Sequence, residues 1–294
     1  MAVIEAPARS EAPAQPATAL LPPLTLRARL RAYRALLAAS YQEALQYRAE
    51  SAVWFTFEFV QPLVMIGMWL TVYAGRQDVD GYARPDMVLY YLGVMVLATL
   101  LVPHPEWWVS ELIRTGELSQ YLIKPIPVAA WQLASEVAWK LVRVLLVTPV
   151  LVLSLLVLGQ TVRPPALDWW GYPLFLASCV AGFALCHCLK VTLGCTAFWI
   201  SKAEGVFSFY WLFEQLYSGR FMPLDLLPAP VAALGTWLPF QYIYYVPLQL
   251  FLGRLTGAAL WQALGVQLLW LVTSVLLVRV VWRRGLVRYE AMGG

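Results

Sequence analysis

Three ionisable side chains, Glu58, Lys190 and Glu214, stand inside long apolar runs of this chain. A charge in hydrocarbon is costly, so such groups pair, line a wet cavity or carry protons. Lys190 lies about nine residues before the end of its run, and Glu214 about eight residues into the next. At 1.5 Å per residue both sit about 12–14 Å from the same face. Only the short loop "SKAEG" (201–205) joins the two runs, so opposite charges can meet at matching depth. An ion pair or shared polar cluster is the expectation. The alternative is that Lys190 snorkels to the surface while Glu214 is protonated or faces a cavity. Glu58, with Gln61 and Pro62 just beyond, reads either as an interfacial acid near Arg48 or, with Gln61, as the wall of a transport path.

Other chemistry is thinly represented. Cys179, Cys186, Cys188 and Cys195 share one apolar run. Adjacent and i,i+2 side chains on a helix point apart, so Cys186-His187-Cys188 makes a poor metal site. Small polarisable residues filling packing gaps is the simpler reading. No G-x-x-x-x-G-K-[ST], H-E-x-x-H or G-x-S-x-G motif occurs, which argues against a nucleotide-hydrolysing or hydrolytic enzyme. The net charge of +4 gives no support to nucleic-acid binding.

The elements holding these residues are apolar helices. The chain is 61% hydrophobic with 14 tryptophans, and its mean hydropathy is +0.65. Runs of about 20 apolar residues each match the hydrocarbon core of a bilayer. The fold class expected is an all-α polytopic membrane protein with six transmembrane helices, at 53–74, 87–102, 134–158, 172–200, 206–222 and 260–282. Residues 1–24, rich in Ala and Pro, read as a disordered tail and not a signal peptide. Residues 25–52 form an amphipathic helix suited to the membrane surface. Leu26, Leu30, Tyr33, Leu37, Tyr41 and Ala44 recur at helical spacing, and Arg27, Arg31 and Arg34 line another side. Between the last two runs, residues 219–258 are apolar but broken by Pro223, Pro228, Pro230, Pro239 and Pro247, as short re-entrant or interfacial helices would be.

Basic residues set the orientation. With the N-terminus inside, the inner face gathers Arg27, Arg31, Arg34, Arg114, Lys124, Lys140, Arg143, Lys202, Arg279, Arg283, Arg284 and Arg288, among others. The outer face keeps Arg76, Arg84, Arg163, Arg220 and Arg254. Both termini are therefore expected in the cytoplasm, and the polar stretch "ELIRTGELSQYLIKPIP" (111–127) falls in the inner loop between the second and third runs. Helix formers dominate residues 106–124, Gly116 marks a bend, and Pro125 ends the helix. Trp107 and Trp108 suit an interfacial start. Arg114, Glu117 and Lys124 offer charge to a partner, and Leu118, Tyr121 and Leu122 offer apolar knobs.

The loop resembles the signature of ABC-2 type transporter permeases, in particular a bacterial six-span subfamily of ABC-2 family transporter proteins. That signature reads approximately Ile-Arg-x-Gly-Glu-Leu, followed by Leu-x-Lys-Pro. Ile113, Arg114, Gly116, Glu117, Leu118, Leu122, Lys124 and Pro125 match it. "SGRFMPLDLLP" resembles the family's Gly-x-x-x-Pro-x-x-x-x-Pro turn through Gly219, Pro223 and Pro228, and "WRRGLVRYEAMGG" its basic C-terminal tail. The resemblance implies the permease subunit of an ATP-driven exporter in the bacterial inner membrane. It implies a second permease, identical or related, and separate cytoplasmic ATPase subunits that bind ATP and Mg, this chain holding no cofactor of its own. It also implies a coupling helix at 106–124 docking on the ATPase, an outer re-entrant segment capping the substrate path, and membrane lipids as further partners. An ion- or proton-coupled transporter using Glu58, Lys190 and Glu214, and a membrane scaffold, are the competing readings. The substrate is not legible.

Overall fold

A computed structural model describes residues 26–46, 48–159, 161–162 and 167–289. The expected tail, 1–24, lies outside these residues, as do the side chains of Glu58 and Arg48. Eleven α-helices, three short 3₁₀ turns and one two-stranded hairpin are the regular elements of the described residues. The helices and strands are α1 (Leu26–Gln46), α2 (Arg48–Val72), β1 (Asp78–Val79), β2 (Tyr82–Ala83), α3 (Arg84–Leu101), α4 (Pro105–Thr115), α5 (Leu118–Leu122) and α6 (Val128–Leu158). After these come α7 (Gly171–Gly194), α8 (Glu204–Tyr217), α9 (Ala229–Thr236), α10 (Tyr245–Phe251) and α11 (Gly257–Arg288).

Four stretches are long and apolar enough to cross a bilayer: Arg84–Thr115, Val128–Leu158, Gly171–Phe198 and Gly257–Arg288. The other two expected spans are shorter in the described residues. The apolar part of α2 is Phe59–Val72, and α8 has 14 residues, about 21 Å of helix. Boundaries also move. The third run begins at Val128, six positions before the expected start, because Pro127 sets an extended residue directly ahead of it. The fourth gives way to a single 3₁₀ turn at Cys195–Phe198, and α2 starts at Arg48, inside the segment assigned to the surface helix.

Position in the fold follows from how apolar each helix is around its circumference. Twelve of the 18 residues of α3 are buried, so α3 is the centre of the protein, packed by α2, α6, α7 and α10. Pro85 in the first turn and Asp86, which accepts the Ala83 N–H at 3.3 Å, start it; Pro103 stops it. By contrast, α6 and α11 turn Leu145, Leu153, Leu156, Leu268 and Leu269 outward, as helices facing lipid do. On α1 the face against α6 is Leu36, Ser40 and Ala44, meeting Ala138 and Val142. Leu30, Tyr33, Leu37 and Tyr41 of the expected apolar face are exposed instead.

Candidate functional site

On one face of α7, Cys186, Lys190 and Gly194 follow at i, i+4 and i+8, so they line up along a single stripe. Two other helices close over it. The first turn of α4 is seated on Gly194, where an added Cβ would stand 2.9 Å from the Glu106 carbonyl oxygen and 2.9 Å from Val109 Cβ. Only glycine admits so close an approach. From the other side α8 brings Glu214, buried like Glu106.

Lys190, only 2% exposed, is thereby shared between two carboxylates. Its Nζ lies 3.2 Å from Glu214 Oε2 and 4.0 Å from Glu106 Oε1. The Cys186 thiol donates to Glu214 Oε1 at 3.5 Å. Glu106 Oε1 also lies 3.5 Å from His104 Nδ1, while Glu106 Oε2 is sealed with no hydrogen-bond partner among the described residues. The hydroxyls of Tyr210 and Tyr244 are likewise buried without a partner there, within electrostatic reach of Glu214. Removing such charges from water costs several kcal/mol per ion, which mutual attraction offsets only in good geometry. The cluster is therefore costly, and its members are bound to one another's positions.

Glu106 was absent from the expected cluster, and Gln61 is not joined to it. Gln61 is half-buried on α2, and no hydrogen bond or ion pair among the described residues connects it to Lys190. In the sequence Glu106 looks like a first-turn acid after a proline, a common helix-start pattern. Its burial depends on α4 folding back onto Gly194, a tertiary event with no local mark.

The polar stretch forms a corner. Helix α4 ends at Gly116, whose φ of 81° is left-handed and whose N–H returns to the Ile113 carbonyl, a glycine helix stop. The expected helix over 106–124 is thus two helices, with the bend at Gly116, and the second ends at Leu122, before Pro125. Arg114 is exposed and bonds Glu111 at 2.7 Å, and Glu117, Leu122, Lys124 and Pro125 are exposed as well. Two expected knobs are corrected. The reversal at Gly116 turns Leu118 inward, leaving it 1% exposed against Val109, Leu112, Ile113, Cys195 and Phe198. Tyr121 is half-buried, its ring edge-on to Trp108 and Trp131, and Lys124 Nζ sits over the rings of Tyr121 and Trp131. The most exposed apolar side chain of the corner is Ile123, at 82%, which patterning alone did not single out. Tyr289 at the end of α11 donates to the Gly116 carbonyl at 2.7 Å, tying the corner to the last helix.

At the opposite end, the Gly219–Pro223–Pro228 turn is pinned to α3 by tyrosines. Tyr90 Oη donates to the Gly219 carbonyl at 2.6 Å and Tyr91 Oη to the Phe221 carbonyl at 2.9 Å. Pro223 is buried, and Pro228 precedes α9. Asp225 collects hydrogen bonds from Tyr82 (2.7 Å), Gln249 (3.2 Å) and Tyr245. The Arg254 guanidinium bonds the Gly81 carbonyl at 2.5 Å and lies over the Tyr82 ring. Burial, and next the charge of Asp225, push the Tyr82 phenol well above the ordinary tyrosine range. This network locks the broken segment to the hairpin between α2 and α3.

Neither a curated protein nor a solved structure matches the chain. One family model does, that of the ABC-2 family transporter proteins, over residues 59–293. It runs from within α2 to the end of α11 and takes in the buried Lys190 cluster, the Gly116 corner and the tyrosine-pinned turn. A helical chain with this apolar architecture, matched over most of its length, is a membrane transport component, and it belongs to the ABC-2 family transporter proteins.

Proposed function

We propose that this chain is the membrane subunit of an ABC exporter, moving its substrate by alternating access driven by a separate ATPase. The observation that carries the reading is the Gly116 corner: a two-helix turn with exposed Arg114, Glu117, Leu122, Ile123 and Lys124 on a chain of this family. A docking element must transmit displacement, and this corner is tied to the rest of the fold at three points. Leu118 roots it in an apolar cluster, Tyr289 ties it to α11, and Gly194 lets α4 press directly on α7. In this reading α2 and α8, the latter with the turn through Met222, complete six crossings. Both termini are cytoplasmic, α1 lies along the inner surface, and the broken 219–258 segment caps the outer end. ATP and Mg are bound by the partner, and a second permease completes the path. The resident membrane is the bacterial inner membrane.

Purification of the tagged full-length chain from its native membrane tests this. Co-isolation of an ATPase subunit carrying a phosphate-binding loop supports it. Transport by the isolated chain without ATP overturns it and favours a coupled secondary transporter using Lys190 and Glu214.

A further inference from the structure

The end of the fold opposite the Gly116 corner holds a cavity of about 460 Å³, a size usual for small-molecule sites. Its polar lining comes from the broken segment: Asp225, Gln241, Tyr242, Tyr245, Gln249 and Arg254. Leu255 and Ala263 supply an apolar wall. Ala263 stands in the second turn of α11, about 9 Å along from its first residue. On the same helix Trp261 and, further along, Leu268 and Leu269 face outward. The cavity therefore lies at the level where an exposed tryptophan meets lipid headgroups.

Two opposite charges line this cavity and are kept apart by Tyr82. The Tyr82 hydroxyl donates to Asp225 at 2.7 Å, and the Arg254 guanidinium lies 3.8 Å from the centre of its ring. Asp225 is met by Tyr82, Tyr245 and Gln249, all neutral donors. Arg254 is met by the Gly81 carbonyl and the Tyr82 ring, with no carboxylate at ion-pair distance among the described residues. Gln249 adds a third group. It is 4% exposed, its Nε2 is committed to Asp225 and Tyr82, and its Oε1 has no partner among the described residues. A ligand with a single charge would be drawn to one of these ends and repelled by the other. A ligand bearing both charges satisfies the two together.

We propose that this cavity binds a primary ammonium joined to a phosphate by a short link, the chemistry of an ethanolamine phosphate headgroup. The ammonium donates its N–H bonds to the Asp225 carboxylate and to Gln249 Oε1, the acceptor left over. The phosphate meets Arg254, whose planar fork of donors suits phosphate oxygens. A membrane lipid and a soluble ester both carry this headgroup. The apolar wall of Leu255 and Ala263 beside the outward face of α11 suits the acyl chains of a lipid.

Native mass spectrometry of the full-length chain in detergent, with added lipids or glycerophosphoethanolamine, tests this. Phosphatidylethanolamine should be retained about tenfold more strongly than phosphatidylcholine, whose trimethylated nitrogen offers no N–H, or phosphatidylglycerol, which has no cation. Asp225→Asn and Arg254→Gln should each weaken that binding about tenfold, one charged hydrogen bond being lost. Ala263→Phe fills the cavity without touching either charge and should weaken it as much, which keeps the test open if a charge variant fails to fold. Glycerophosphoethanolamine separates the sources. Binding of the lipid alone assigns the site to a membrane lipid, and binding of the ester alone assigns it to a soluble solute of the same chemistry. Either result supports the site. Binding of neither, or equal retention of the three lipids, overturns it, and so does selectivity unchanged in Ala263→Phe. The measurement needs no nucleotide and no ATPase, so its failure is separate from failure of the exporter reading.

Discussion

Lys190 Nζ stands 3.2 Å from Glu214 Oε2, and both side chains are buried. Breaking such a pair from one side leaves a buried charge unanswered, which costs about 3–5 kcal/mol. Lys190→Met is therefore expected to lower the thermal unfolding midpoint of the detergent-solubilised protein sharply. Glu214→Gln in the same background should recover part of that loss, because the orphaned carboxylate is gone. A double variant no more stable than the sum of the single effects would dismiss the pair as an energetic unit.

The pair could be anticipated because both partners lie at countable depths in apolar runs joined by a short loop. Four of the six expected runs were legible for the same reason, being long and uninterrupted. Glu106 and Leu118 show where reading by pattern stops. Glu106 sits in a locally polar segment and is buried only because Gly194, 88 positions later, leaves room for α4. Leu118 matches an exposed docking motif by type, yet the left-handed Gly116 rotates it into the interior. Either fate depends on a backbone approach or reversal that hydrophobic periodicity does not encode. The face of α1 that meets α6 was missed similarly, since Ser40 and Ala44 carry little hydropathy but allow close helix packing.

The Gly194 notch gives a direct test of that contact. Gly194→Ala puts a methyl 2.9 Å from the Glu106 carbonyl and from Val109 Cβ, and overpacking of this kind costs about 1–3 kcal/mol. Gly205→Ala in the first turn of α8 meets nothing within 4 Å and should leave stability unchanged or raise it slightly. Thermal unfolding of the two variants side by side checks the prediction. Equal effects would mean that α4 does not bear on α7 at this point.

Gln267 ties three elements together in an apolar interior. Its Nε2 donates to the carbonyls of Ser178 and Tyr242, each at 2.9 Å, and its Oε1 accepts the Ser178 hydroxyl at 3.0 Å. Gln267→Leu removes one partner and strands the others, at about 1–3 kcal/mol for each buried group left unsatisfied. Adding Ser178→Ala should restore part of the loss by removing the stranded hydroxyl. Urea unfolding in mixed micelles measures both, and a fully additive double variant would argue against the bonded geometry.

The Gly116 corner separates a docking role from a folding role in two adjacent apolar residues. Ile123 is 82% exposed and touches no core cluster, so Ile123→Asp should change stability by no more than about 0.5 kcal/mol. Leu118 is 1% exposed among Val109, Leu112 and Phe198, so Leu118→Ala should cost about 2–5 kcal/mol. If the corner docks on an ATPase, Ile123→Asp combined with Glu117→Lys should reduce co-purification of that subunit and uncouple its hydrolysis from substrate, with unfolding unchanged. Both substitutions lie on the outside of α5 and its flanks, so a loss of partner at constant stability cannot arise from collapse of the fold. Retained partner binding and coupling in this double variant would remove the corner from the docking surface. The Leu118→Ala result then shows whether the segment serves only to close the apolar cluster beneath it.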